Sequence, residues 1–202
     1  MLLVNDIKFS RSEKIIYENI NFSASPGKII FIKGSNGSGK TTLLKSLVNI
    51  IQVDSGEIFW KGKNINKNIF SFYKYTSFIM DKPTSTLDLT LVENINYWKK
   101  LSSSKITDEG IEKLLTILNI DQYLNNKIAY LSQGEIKKLE LTRLIIEQKK
   151  LWILDEPFSG LDDNSIEIIN DTLIDHISND GIVIFASHYI PNLKNLEIVS
   201  LS

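Results

Sequence analysis

The run Gly34-Ser35-Asn36-Gly37-Ser38-Gly39-Lys40-Thr41, followed by Thr42, has the residue types a polyphosphate needs from a protein. Phosphate oxygens are best satisfied by several backbone N–H groups aimed at one point, and glycines let a loop wrap closely enough to aim them. A helix opening at the end of such a loop adds unpaired donors and the positive end of its dipole. Lys40 would neutralise the terminal phosphate oxygens, and the Thr41 hydroxyl would ligate Mg²⁺. The spacing is G-x-x-x-x-G-K-[ST], and its flanks fit. The apolar run Ile29-Ile30-Phe31-Ile32 precedes it, and Leu43, Leu44, Leu47, Val48 and Ile51 follow at helical spacing. A glycine turn that merely happened to precede a lysine would need neither flank.

Two further clusters could complete such a site. Leu151-Trp152-Ile153-Leu154-Asp155-Glu156 is an apolar strand ending in two carboxylates. Beside a phosphate loop, Asp155 can hold Mg²⁺ directly or through water, and Glu156 can polarise an attacking water as general base. Taken alone, the same residues describe a strand leaving the core through a polar turn stopped by Pro157. Leu131-Ser132-Gln133-Gly134-Glu135 opens a helical pattern, and Ser132 with Glu135 three residues on is also a capping box that any helix start can use. His188, beyond the apolar run 182–186, is equally open between a structural and a catalytic part.

These residues need a scaffold, and the chain supplies one. Residues 2–9, 14–22, 29–32 and 56–61 read as strands, punctuated by the Pro26-Gly27 turn and by Gly62. From about 84 to 150 the texture is helical with polar faces, broken near 102–104 and 125–126. The uninterrupted apolar runs 151–154 and 182–186, with a helical pattern over 165–177 between them, suit central strands of a parallel sheet covered on both faces. The pattern is α/β with a helical subdomain. With 202 residues the chain can bury a sizeable core in one domain. A net charge of −1 argues against a protein built to grip nucleic acid, and zero Cys excludes disulfide scaffolds, thiolate zinc sites and thiol catalysis. No apolar stretch reaches membrane-spanning length and no secretory leader is apparent.

In order and spacing these motifs resemble the nucleotide-binding subunit of ATP-binding cassette (ABC) transporters over nearly the whole chain. Residues 34–41 match the Walker A loop, 131–135 the LSGGQ-type signature and 151–156 Walker B. Residues 159–162 (Ser-Gly-Leu-Asp) match the D-loop, Ser187-His188 the switch histidine, and 89–94 the LT-x-x-EN stretch of the helical subdomain. The resemblance implies a RecA-like P-loop NTPase core with an N-terminal antiparallel β subdomain and an inserted α-helical subdomain over roughly 84–150, within one domain spanning 1–202. It implies ATP and Mg²⁺, and a head-to-tail dimer in which Ser132 and Gly134 reach the ATP held by the partner chain. Glu156 and His188 are the implied catalytic residues. Small-molecule kinases share only the first motif, and their phosphate-facing arginines are hard to find here, where Arg occurs only at 11 and 143.

The chain departs from the family at three places. Aligning Phe78-Ile79-Met80-Asp81-Lys82-Pro83 on the Q-loop puts Lys82 where a metal-positioning glutamine is expected, and an ammonium has no lone pair for a cation. Either Asp81 deputises, or water fills the shell, or the protein is an ATP-gated switch with little turnover. The signature carries Gln133 and Glu135 in place of Gly and Gln. Arg11 stands where an aromatic usually stacks on adenine; a guanidinium plane can do the same, and Tyr17 is the other candidate. Shortness, Arg11, the Lys82-Pro83 pair and the end soon after His188 resemble the ATP-binding subunits of cytochrome c maturation, or haem-export, systems. That type implies integral membrane permease partners (CcmB/CcmC-like), no nucleic acid, and a peripheral location on the cytoplasmic face of the inner membrane or the matrix side of an organelle. Docking is expected around residues 83–98, with Tyr97 and Trp98 more in keeping with packing than with anchoring.

Overall fold

A computed structural model describes residues 1–191, 193 and 196–201. The chain runs through β1 (Leu2–Arg11), β2 (Lys14–Ala24), β3 (Lys28–Lys33), α1 (Lys40–Leu47), β4 (Ser55–Trp60), β5 (Lys63–Asn64), α2 (Ile69–Tyr73) and β6 (Thr76–Ile79). It continues through α3 (Leu91–Ser102), α4 (Asp108–Ile117), α5 (Gln133–Glu147), β7 (Leu151–Asp155), α6 (Asp163–Ser178), β8 (Ile182–Ala186) and β9 (Leu196–Ser200). Among the described residues the strands form an antiparallel sheet ordered β2-β1-β4-β5 and a parallel sheet ordered β6-β7-β8-β3-β9.

The apolar runs that lack alternation are the middle of the parallel sheet, and the period of 2 then sorts their side chains onto two cores. Ile30 and Ile32 of β3, Ile153 of β7 and Ile184 of β8 face α1 and the antiparallel sheet, meeting Leu43, Leu44, Leu47, Val4 and Ile58. Phe31, Leu154 and Phe185 face the other way, against Ile95 and Trp98 of α3, Leu139 of α5 and Leu173 of α6. Each such side chain, fully buried, contributes about 1.5–3 kcal/mol relative to exposure. Parallel pairing sets β8 between β7 and β3, with Asp155 opposite Ala186 and Ile32 opposite the same residue. The loops leaving the carboxyl ends of these strands therefore converge, which is where open α/β sheets bind ligands.

Two expectations need correcting. α1 ends at Leu47, so Ile51 is not helical; Asn49 at φ 57° turns the chain into the left-handed region and stops the helix. Tyr97 and Trp98 part company: Trp98 is buried in the helical core, whereas Tyr97 is 56% exposed. The stretch over 89–94 gains a physical explanation. Thr90 caps α3 in a reciprocal box with Glu93, and buried Asn94 ties back to Thr86 through both its oxygen (2.8 Å) and its amide (3.2 Å).

At the other end of the sheet His176 stacks flat on Trp152, with ring centroids 3.6 Å apart at 6°. Burial pushes the imidazole pKa down to about 4. The unfolded chain then takes up this proton more readily than the folded one, so the stability is full above the unfolded value of 6.5 and is lost as pH falls from there towards 4. Denaturant titrations of the wild type should lose about 2 kcal/mol more over that window than those of His176→Phe, after allowance for partial solvent access. Parallel pH curves for the two proteins would contradict this.

Candidate nucleotide site

Residues 34–39 are the turn joining β3 to α1. Gly39 sits at φ 95° and ψ 10°, and a Cβ there would stand 2.5 Å from Cγ2 of Ile16. Conformation and crowding both demand glycine. No side chain caps α1, so its first N–H groups are left to an incoming ligand. Lys40 is buried and its Nζ donates to the carbonyls of Gly34 (2.9 Å) and Ser35 (3.1 Å), which brings the ammonium across the mouth of its own loop. The Ser38 hydroxyl is buried without a hydrogen-bond partner among the described residues. An orphan of this kind costs about 1–3 kcal/mol, and a phosphate oxygen would satisfy it. The loop fits a polyphosphate.

The two carboxylates at the end of β7 diverge. Asp155 is buried; burial pushes its pKa up, and the neighbouring Thr41 hydroxyl works against the rise. Thr41 with Asp155 is a hard-oxygen pair suited to Mg²⁺, which completes its shell with phosphate oxygens and water. Among the described residues no group of three or more His, Cys, Asp or Glu is arranged to hold a metal by itself. Glu156 turns the other way because its backbone is left-handed, φ 48°, at a cost of about 1–3 kcal/mol for a non-glycine residue. The segment after β8 holds it there. The Glu156 N–H donates to Ala186 O (2.8 Å), and its carboxylate accepts from Ser187 Oγ (3.2 Å) and His188 N (3.1 Å). His188 Nε2 lies 3.4 Å from the other carboxylate oxygen.

These groups share one cleft of ≈ 420 Å³. Its walls carry Asn36, Gly37, Gly39, Lys40, Thr41 and Thr42 from the loop and helix, Glu156 and His188 from the sheet, and Arg11 from the end of β1. Gly34, Ser35, Ser38 and Asp155 are not among the residues lining it. The two candidates for the base-stacking position are placed differently. Tyr17 is buried, with its hydroxyl donating to Ser46 Oγ at 2.6 Å and its pKa pushed up by burial to about 12, so its ring is committed to the core. Arg11 is exposed at the cleft.

Ile16 and Asp81 also line the cleft; Ile16 belongs to no motif that would signal it, whereas Asp81 is the residue able to deputise for the absent glutamine. Ile16 comes from β2, where alternation turns it outward as Tyr17 turns in. Asp81 is on the cleft wall, whereas Lys82 lines only a neighbouring cavity. Of the two adjacent residues, Asp81 and not Lys82 is among those lining the nucleotide cleft.

Ser132 and Gly134 do not line this cleft. Ser132 is the cap of α5: its Oγ accepts from Glu135 N (3.3 Å), and Glu135 Oε2 accepts from Ser132 N (2.7 Å). A Cβ on Gly134 would come within 2.8 Å of Gly160 O, so this glycine permits the helix start to lie directly on the 159–162 turn. Lys138 Nζ donates to Asp162 Oδ2 (3.0 Å), and Asp162 caps α6. Hydrogen bonds from the Ser165 hydroxyl and N–H, with that from Lys138, hold the Asp162 carboxyl down at about 2.

The family model for ABC transporters matches residues 17–159. The chain belongs to the ABC transporter family. Among curated relatives, this ABC chain is 39% identical to the cytochrome c biogenesis ATP-binding export protein CcmA of Reclinomonas americana, over 100% of its own length and 90% of that protein. The protein of the same name from Vibrio vulnificus is 32% identical over 98% of this chain and 99% of the relative. A solved ATP-binding subunit of an ABC transporter superposes with a TM-score of 0.87 at 21% identity, covering 100% of this chain and 85% of that one. The fold is that of an ABC ATPase, a P-loop NTPase, and the family's activity is ATP hydrolysis.

Proposed function

We propose that this chain is the ATP-hydrolysing subunit of a membrane complex that serves haem export and cytochrome c maturation. The observation that carries the ATPase is the single cleft in which the phosphate loop, Glu156 and His188 meet. Full-length similarity to proteins named for cytochrome c biogenesis supports the cargo. On this reading residues 34–42 hold the triphosphate, with Lys40 exchanging its loop carbonyls for phosphate oxygens, and Arg11 stacks on the base. Thr41 holds Mg²⁺, with Asp155 acting directly or through water; the ion, when bound, shields phosphate charge. Glu156 orients and polarises the attacking water, and His188 reads whether the γ-phosphate is present.

Ser132 and Gly134 then act on the nucleotide of a second copy in a head-to-tail dimer, where the start of α5 supplies donors to the outer face of the γ-phosphate. Residues 1–202 form one nucleotide-binding domain with 84–150 as its helical part. No helix among the described residues is long and apolar enough to cross a membrane. The translocation path falls to permease subunits of the CcmB/CcmC kind, docked around 83–98 on the cytoplasmic or matrix face.

Affinity purification of the tagged chain from its own cells tests the assignment. Multi-span permease subunits and haem should co-purify; recovery of ribosomes, or of no membrane protein, would overturn it. The site is tested by Lys40→Ala, expected to weaken binding of a fluorescent ATP analogue roughly 100-fold through loss of a desolvated charge-assisted contact. Unchanged affinity would exclude the loop.

A further inference from the structure

A cavity of ≈ 450 Å³ adjoins the nucleotide cleft, between the segment after β6 and the start of α5, and Asp81 belongs to the walls of both. Lys137, in the second turn of α5, closes this cavity. Its side chain is only 8% exposed, yet Nζ has no hydrogen-bond partner among the described residues. Its ion-pair partner is Asp81, whose Oδ1 is 3.9 Å away.

Burial pushes the pKa of this ammonium down, and four carboxylates, Asp81, Asp155, Glu140 and Glu156, work against that. Glu140 is committed elsewhere, accepting hydrogen bonds from Thr84 and Ser85. The charges left for Lys137 to balance belong to the nucleotide site. A buried ammonium is expensive unless its surroundings are acidic, and these surroundings are acidic where Mg²⁺ and water must be handled. Lys137 is absent from the cleft wall, so it works on the site from behind.

We propose that Lys137 is a positioning residue for ATP hydrolysis. Its ammonium holds Asp81 on the wall of the nucleotide cleft and balances the acidic group that Asp81 forms with Asp155 and Glu156. It thereby supports from α5 the loop position that has Lys82 in place of glutamine. The inference rests on the ATPase reading of the cleft. Two consequences separate it from a lysine that merely packs. Without the ammonium Asp81 is no longer held, so turnover falls while ATP affinity stays. Without its positive charge the site is more negative, so Mg²⁺ is taken up at lower concentration.

The test compares the wild type with Lys137→Met, which keeps the length of the side chain and removes the charge. Binding of a non-hydrolysable fluorescent ATP analogue is followed as Mg²⁺ is raised, alongside steady-state kinetics. In Lys137→Met the Mg²⁺ midpoint should fall roughly three- to tenfold and kcat about tenfold, with KM for ATP within about twofold. Lys137→Arg should restore both. Asp81→Asn should reproduce the loss of kcat, and combining it with Lys137→Met should add little. A wild-type Mg²⁺ midpoint or kcat in Lys137→Met overturns the proposal, as does a change confined to the denaturation midpoint. Should Lys137→Met fail to fold, full activity in Asp81→Asn overturns it equally. A wild-type chain that binds no analogue at all would bring down the ATPase reading itself, and this inference with it.

Discussion

Glu156→Gln should lower ATP turnover by roughly 10²–10³-fold, within the range general-base removal produces, and leave nucleotide affinity nearly unchanged. The substitution is conservative in the contacts that matter. A glutamine oxygen can still accept from Ser187 Oγ and His188 N, so the left-handed turn at 156 and the placement of His188 survive. What disappears is the negative charge that, in the proposed mechanism, draws a proton from the attacking water. ATP should then persist in the cleft, and with it the bridge that the proposed head-to-tail dimer depends on. Light scattering with Mg²⁺-ATP should find dimers in the variant at protein concentrations where the wild type has returned to monomers. Phosphate release at the wild-type rate would remove Glu156 from its role. Loss of binding together with rate would instead mean that the carboxylate supports the fold of the cleft.

The loop could be read before any coordinates because its chemistry is carried by backbone and by glycine spacing, both visible in a string of residues. Likewise the two-core arrangement follows from apolar runs without alternation, which only a sheet covered on both faces accommodates. β6 and β9 were less legible. Each is a short strand at an edge of the parallel sheet, Thr76–Ile79 with a buried serine and Leu196–Ser200 largely exposed, so neither carries a clear hydrophobic signal. The position of Asp81 was open from sequence, since which of two adjacent residues faces a cleft depends on how the loop leaves β6. That exit is set by long-range bonds from α5, some 60 residues away in the chain. Lys137 was invisible for the same reason. On a helical wheel it is one more lysine, and only the packing of α5 against the sheet buries it.

Glu140→Ala should be the most damaging change away from the cleft, costing about 3–5 kcal/mol in urea unfolding. Glu140 is 2% exposed, and its carboxylate accepts from Thr84 N (2.7 Å), Ser85 N (2.5 Å) and Thr84 Oγ1 (3.0 Å). Arg143, one turn on, donates to Thr84 Oγ1 (2.6 Å) and to Phe78 O, with its guanidinium over the Trp98 ring at 5.6 Å. Removing the carboxylate strands two backbone N–H groups and leaves the arginine without its acidic neighbour on this face. Glu140→Gln should cost less, because an amide oxygen can keep one of the N–H bonds. The same contacts make loop 81–85 travel with α5. A rotation of the helical part towards or away from a second copy would thus carry Asp81 with it, and the cleft would be complete only when α5 is in place. Amide exchange at Thr84 and Ser85 should accelerate strongly in Glu140→Ala while exchange in β3 and β8 keeps its protection. If the loop and the central strands loosen together, the clamp is part of the global fold and α5 has no separate hold on the nucleotide side.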